Sequence, residues 1–92
     1  MEIDFDPEKD AVNREKHGLS LAEVVRLEWK DAFVLPDERI AYGERRLRVY
    51  AMLDGRLHMA AVTFRGLILR VISLRKANRR EVTRYGTPSR EA

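Results

Sequence analysis

Between residues 46 and 75, three runs of alternating apolar and polar residues follow one another with almost no chain between them. Arg46 to Leu53 is joined by Asp54-Gly55 to Arg56 to Phe64, and Arg65-Gly66 leads into Leu67 to Arg75. A period of two sends successive side chains to opposite faces, and a two-residue connection admits only an antiparallel hairpin. A three-stranded meander is therefore the frame to which everything else must attach. With two tight turns, one face collects Leu47, Val49, Ala51, Ala60, Val62, Leu67, Leu69 and Val71. The other collects Arg46, Arg48 and Tyr50 beside Met59, Ala61, Thr63, Arg70 and Ile72. In that register Arg48, Ala61 and Arg70 share a cross-strand row. Two guanidinium groups over a small residue repel unless an anion or carboxylate lies between them. One extra residue in the second turn would move Arg70 to the other face.

The flanking segments supply helices. A short strand, Glu2 to Phe5, leads to Asp6-Pro7, an N-cap followed by proline at the first helical position. This helix runs to about His17 and ends at Gly18. Ser20-Leu21-Ala22-Glu23 reads as a capping box opening a second helix, with Leu19 stapled onto Val24. Its stripe is Leu21, Val24, Val25 and Glu28, closed by Trp29. Ala32 to Leu35 reads as a strand stopped by Pro36, and Asp37 to Glu44 as a polar loop containing Gly43. Asn78-Arg79-Arg80-Glu81 is a second capping box, opening a last helix that ends near Gly86, before a frayed tail from Thr87 to Ala92. The expected fold is α+β: a small antiparallel sheet, two N-terminal helices packed on its apolar face, and a short C-terminal helix.

A chain of 92 residues with 45% hydrophobic content suits one domain, residues 1–92, with a modest core. It has no cysteine, which excludes disulfides and thiolate-bound metal. Two histidines on different elements and no tight carboxylate cluster make no convincing ligand set, so neither metal nor cofactor is expected. Glu2, Asp4 and Asp6 interrupt any apolar leader, and no 18-residue apolar run exists to span a membrane, which points to the cytosol.

The formal net charge of +3 hides a division. Residues 65–92 hold eight Lys/Arg against two Asp/Glu, whereas residues 1–64 hold ten against thirteen. Guanidinium groups fixed on a rigid scaffold match phosphate oxygens two at a time, so the basic end points to a polyanion or an acidic protein.

Several stretches together resemble the BrnT toxins, ribonuclease partners of BrnA antitoxins in bacterial type II toxin–antitoxin pairs. They are Phe5-Asp6-Pro7-x-Lys9, Asn13-x-x-Lys16-His17-Gly18-Leu19-Ser20, Gly43-Glu44 and Gly55-Arg56. Thr63-x-Arg65-Gly66, Arg70-x-Ile72-Ser73-x-Arg75-Lys76-Ala77, Glu81 and Tyr85 continue the pattern, which covers roughly residues 3 to 86. The resemblance implies a RelE-like fold and metal-independent RNA cleavage that inhibits translation and growth. It also implies neutralisation by a BrnA-like ribbon-helix-helix antitoxin, with operator DNA contacted only through that complex. Phe5 stands where the family often has tryptophan, and Val62 where tyrosine is common.

Metal-independent cleavage needs a base near the 2′-OH, an acid near the 5′ oxygen, and cations on the phosphate. Arg70 and Arg75 are candidate catalytic cations, and Arg46, Arg48, Lys76, Arg79 and Arg80 candidate RNA contacts. Tyr85 can donate a proton or stack a base, or simply anchor the last helix, and Tyr50, on the Arg48 face, has the same alternatives. Glu44 is a candidate base whose default role is a salt bridge with Arg46, Arg48 or Arg70. His17 is the candidate acid or base by residue type, although its place at a helix C-terminus favours a structural role. Glu81 is accounted for by its capping box. Two further readings explain the basic end without chemistry: a non-catalytic nucleic-acid-binding module, and a protein whose basic surface docks an acidic partner.

Overall fold

The computed structural model describes residues 1–38 and 43–86. The loop expected over Asp37 to Glu44 lies partly, and the tail from Thr87 wholly, outside the described residues. Five strands form one sheet: β1 (Ile3–Asp4), β2 (Phe33–Pro36), β3 (Leu47–Leu53), β4 (Arg56–Arg65) and β5 (Ile68–Lys76), in the order β1-β5-β4-β3-β2. Two α-helices, α1 (Pro7–His17) and α2 (Arg79–Tyr85), flank it.

The β3–β4 hairpin follows the local chemistry. Asp54 and Gly55 take φ of 52° and 78°, and a two-residue turn with both residues at positive φ matches the right-handed strand twist. The next turn differs from the expected one. It is Gly66-Leu67, with Arg65 opposite Ile68 and only Gly66 at positive φ, 64°. A glycine is needed at the first turn position, so the loop slides one residue along. Leu67, expected in the core, is therefore at the tip and 96% exposed. Leu67→Glu is expected to change stability by no more than about 0.5 kcal/mol in urea titration. In the core-facing register the same change would cost several times more.

A second departure adds to the first. The β4–β5 register shifts by one residue between Ala61 and Val62: Val62 faces Val71, but Ala61 faces Ser73. This bulge is visible in the core spacing, for Leu69 and Val71 are two apart whereas Leu74, also buried, comes three later. The core face otherwise holds Leu47, Val49, Ala51, Ala60 and Val62 as alternation requires. The expected row of Arg48, Ala61 and Arg70 is thus corrected: Arg48 and Ala61 share their row with Ser73, and Arg70 lies opposite Thr63.

The sheet is mixed rather than purely antiparallel, because β1 pairs parallel to β5 through Leu69 and Arg70. The second N-terminal helix is not α-helical. Leu21–Arg26 is a 3-10 segment, followed by a short one at Trp29–Asp31. Its buried residues, Leu21, Val24 and Leu27, recur every three, which is the 3-10 period. Val25, placed on the stripe by α-helical spacing, is 49% exposed. The capping box expected there does not close either. Ser20 Oγ accepts from Ala22 N, and Leu21 N donates to Asp10 Oδ1 at 2.7 Å. Glu23 pairs instead with Arg26.

α1 starts and stops as its sequence dictates: Asp6 accepts from Glu8 N at 2.8 Å, and Gly18 caps the end at φ 71°. It does not press an apolar face onto the sheet. Its buried residues are polar, Asp10 and Asn13. The Asn13 amide donates to Leu19 O and Leu74 O and accepts from Leu74 N at 3.1 Å, acting as a one-residue strand on the β5 edge beyond β1. Asp10 ties α1 to the 3-10 segment, and the Leu21 N–H is the main cause of its lowered pKa. α2 lies over the other face, where Tyr50, Leu57, Met59 and Ala77 form a second cluster with Phe33, Leu35, Met52 and Tyr85.

Candidate active site

The face opposite the main core has a floor of small side chains. Arg48 faces Ala61 and Ala61 faces Ser73, so the row that begins with a guanidinium continues through alanine and serine. The row above runs from Tyr50 through Met59 to Arg75, and Arg70 stands in the row below beside Thr63. The bulge makes this possible. Without it, residue 75 would fall on the core side with Leu69 and Val71.

Three of these side chains join in one network with Glu81 of α2. Arg75 donates both terminal nitrogens to Glu81, Nη1 to Oε1 at 2.8 Å and Nη2 to Oε2 at 2.9 Å. Tyr50 donates its hydroxyl to Glu81 Oε2 at 3.0 Å, and Arg48 Nη1 donates to the Tyr50 hydroxyl at 3.3 Å. Glu81 also closes the α2 capping box, with Asn78 N on its Oε1 and Glu81 N on Asn78 Oδ1. One carboxylate therefore fixes the start of the helix, the fork of Arg75 and the hydroxyl of Tyr50. Arg48 Nε is buried and makes no hydrogen bond among the described residues.

The electrostatics follow from these contacts. Arg75, above all, holds the Glu81 carboxyl down at about 2, against burial that pushes the other way; the Asn78 N–H and the Tyr50 hydroxyl assist. Burial, and then the bond to Glu81, raise the Tyr50 pKa, so its hydroxyl stays protonated as a donor. Because the folded Glu81 value lies below its ordinary 4.5, its stabilisation is complete above pH 4.5 and fades as pH falls towards 2. The loss is at most about 3 kcal/mol. Thermal melts between pH 7 and pH 2.5 should therefore bring wild type and Glu81→Gln together in acid. Parallel curves would show that Glu81 contributes no such linkage.

Tyr85 stacks on Tyr50, with ring centroids 4.2 Å apart and planes at 19°, and Phe33 meets it at 5.6 Å and 49°. Beside these rings opens a cavity of about 240 Å³, whose lining includes Phe33, Tyr50, Met52 and Tyr85 together with Glu28 and Asp31.

Of the residues singled out by sequence, Arg48, Arg75 and Tyr85 come together here. Arg70 is on the same face but donates to Asp4 at 2.6 Å. Glu44 sits with Arg46 at 3.3 Å and Arg65 at 3.8 Å, away from Arg75. Lys76, Arg79 and Arg80 are exposed. His17, at the end of α1, lines a separate groove against β5. Tyr50 was placed by sequence on the Arg48 face with the same possible roles as Tyr85, but Glu81 was given only its capping role, so the two were not joined in one site. The arginine-rich approach to the Asn78 capping box was the available signal, since it places Glu81 within reach of Arg75. Among the described residues no three His, Asp or Glu side chains gather as a metal site, and no helix is long and apolar enough to cross a membrane.

No curated protein matches the sequence. A family model described as the ribonuclease toxin BrnT of type II toxin–antitoxin systems matches residues 5–81, which span both the β5 arginines and the Glu81 that holds one of them. The chain therefore belongs to the BrnT family of type II toxin–antitoxin ribonuclease toxins.

Proposed function

We propose that this toxin is a metal-independent endoribonuclease with a RelE-like fold, and that its cleavage centre is the floor bounded by Arg48, Arg75, Tyr50 and Tyr85. The observation that carries this reading is the network itself: strand-borne guanidiniums flank small side chains, one held by a bidentate carboxylate and one with a buried, unpartnered Nε. In such cleavage the 2′-oxygen attacks the adjacent phosphorus and the bond to the 5′ oxygen breaks. The attacking hydroxyl loses a proton and the leaving oxygen gains one. The products are a 2′,3′-cyclic phosphate and a 5′-hydroxyl end. Arg75 and Arg48 meet the negative charge that builds on the phosphate oxygens. Glu81, ionised and pinned to Arg75, is a weak base and serves to aim the guanidinium. The Tyr85 hydroxyl is the group left for proton delivery or, through its ring, for stacking a base. Arg70, Lys76, Arg79 and Arg80 lend positive potential to the strand's approach.

The partner of such a toxin is a protein antitoxin. We assign a BrnA-like ribbon-helix-helix protein that covers the arginine-bearing face in the cytoplasm, with operator DNA bound through the antitoxin. The test is incubation of purified toxin with a defined RNA in excess chelator, followed by analysis of the product ends. Cleavage leaving cyclic phosphate is expected. Binding without cleavage would leave a nucleic-acid-binding module, and cleavage only with added divalent metal would overturn metal independence.

A further inference from the structure

Past β1, the β5 edge is continued not by a strand but by Asn13 of α1, and between α1 and β5 lies a groove of about 400 Å³. Ser73 belongs to both places. It ends the row of Arg48 and Ala61, and it lines the groove. The bulge that brings Arg75 onto the cleavage face also lies at this edge, where its Ile72 and Ser73 line the groove. The groove's lining is mixed in a particular way. Val12, 52% exposed although it is aliphatic, and Ile72 provide apolar surface. Lys9, Lys16 and His17 recur along one side of α1, and none makes an ion pair among the described residues. Asp6 and Glu8 add carboxylate oxygens near the helix start, where Asp6 Oδ1 already accepts the Glu8 N–H.

We propose that this groove is a nucleotide subsite, holding a nucleotide of the RNA strand that neighbours the phosphodiester on the cleavage floor. A bare polyanion would be poorly served by a lining that contains two carboxylates. A nucleotide needs all three components: an apolar surface for the base, cations for the phosphate, and acceptors for the exocyclic amines of the base. The groove's volume is that of a small-molecule site. The inference rests on the ribonuclease reading for the position of the scissile bond, but the groove's affinity for RNA is measurable without turnover.

The experiment uses the full chain and a fluorescein-labelled 12-nucleotide RNA with 2′-O-methyl riboses, which cannot be cleaved through the 2′ oxygen. Anisotropy is followed against salt concentration for wild type, Val12→Glu and the double variant Lys9→Ala/Lys16→Ala. Both sites are on the exposed side of α1, and thermal melts confirm equal folding. Val12→Glu is expected to weaken binding at least tenfold by placing a like charge on the base surface. The lysine variant is expected to lower the slope of log affinity against log salt by about one to two. If both variants bind with wild-type affinity and slope, the groove is not on the RNA path and the assignment falls. A chain that binds as expected but never cleaves unmodified RNA would overturn the ribonuclease reading and retain the groove.

Discussion

Replacing Asn13 by aspartate should cost about 3–5 kcal/mol, although the two side chains have nearly the same shape. The native amide nitrogen donates to Leu19 O at 2.9 Å and Leu74 O at 2.8 Å, and its oxygen accepts from Leu74 N. In Asn13→Asp an oxygen takes the nitrogen's place and points at two carbonyl oxygens. The residue is 4% exposed, so water cannot screen the repulsion. Stability for a domain of this size is about 5–14 kcal/mol, so the change removes a large share of it. Urea titration at pH 7 checks this. The deficit should shrink as pH falls, because burial raises the new carboxyl's pKa, and once protonated it recovers one donor. A midpoint equal to wild type would show that Asn13 does not brace β5. Because Leu74 anchors the strand just after its bulge, a partly folded variant should also mislay Arg75.

Arg75→Ala is expected to lower kcat/KM for RNA cleavage by about 10²–10³, the scale for removing one preorganised charge donor. Arg75→Lys should recover little, since an ammonium cannot engage Glu81 and a phosphate with a planar fork. Folding should survive, because Glu81 keeps the Asn78 N–H and the Tyr50 hydroxyl; the loss is about 1–3 kcal/mol in a thermal melt. A within-threefold change in kcat/KM for the folded alanine variant would move the chemistry away from this network. The two predictions separate cleanly. Asn13→Asp acts on stability first, whereas Arg75→Ala acts on turnover with the fold in place.

The legible parts of the chain were those where a requirement is met by adjacent residues. Asp54-Gly55 demanded positive φ at two successive positions, Asp6-Pro7 and Gly18 bounded α1, and Asn78 with Glu81 closed a capping box. The second turn was misread because Gly66 serves the first turn position rather than the second. The 3-10 segment was misread as α-helical, although Leu21, Val24 and Leu27 show the period of three. The bulge had its own trace in the step from Val71 to Leu74. Arg48 was placed by strand alternation, and Arg75 and Tyr85 were named from the basic end and the resemblance, but the register that unites Arg48 and Arg75 was not foreseen.

Local backbone chemistry determined the strands, the first hairpin and the helix boundaries, because φ preferences and capping bonds act over a few residues. The charge asymmetry likewise followed from the chain alone, as did the family pattern. Tertiary structure decided the rest. Glu81 meets Tyr50 from 31 positions away, and Asn13 meets Leu74 from 61. Such contacts arise only when strands and helices are already docked, since a buried polar group must find a partner wherever the packed chain supplies one. The face on which Arg75 emerges depends on a single extra residue in β5, and no local preference of arginine sets it.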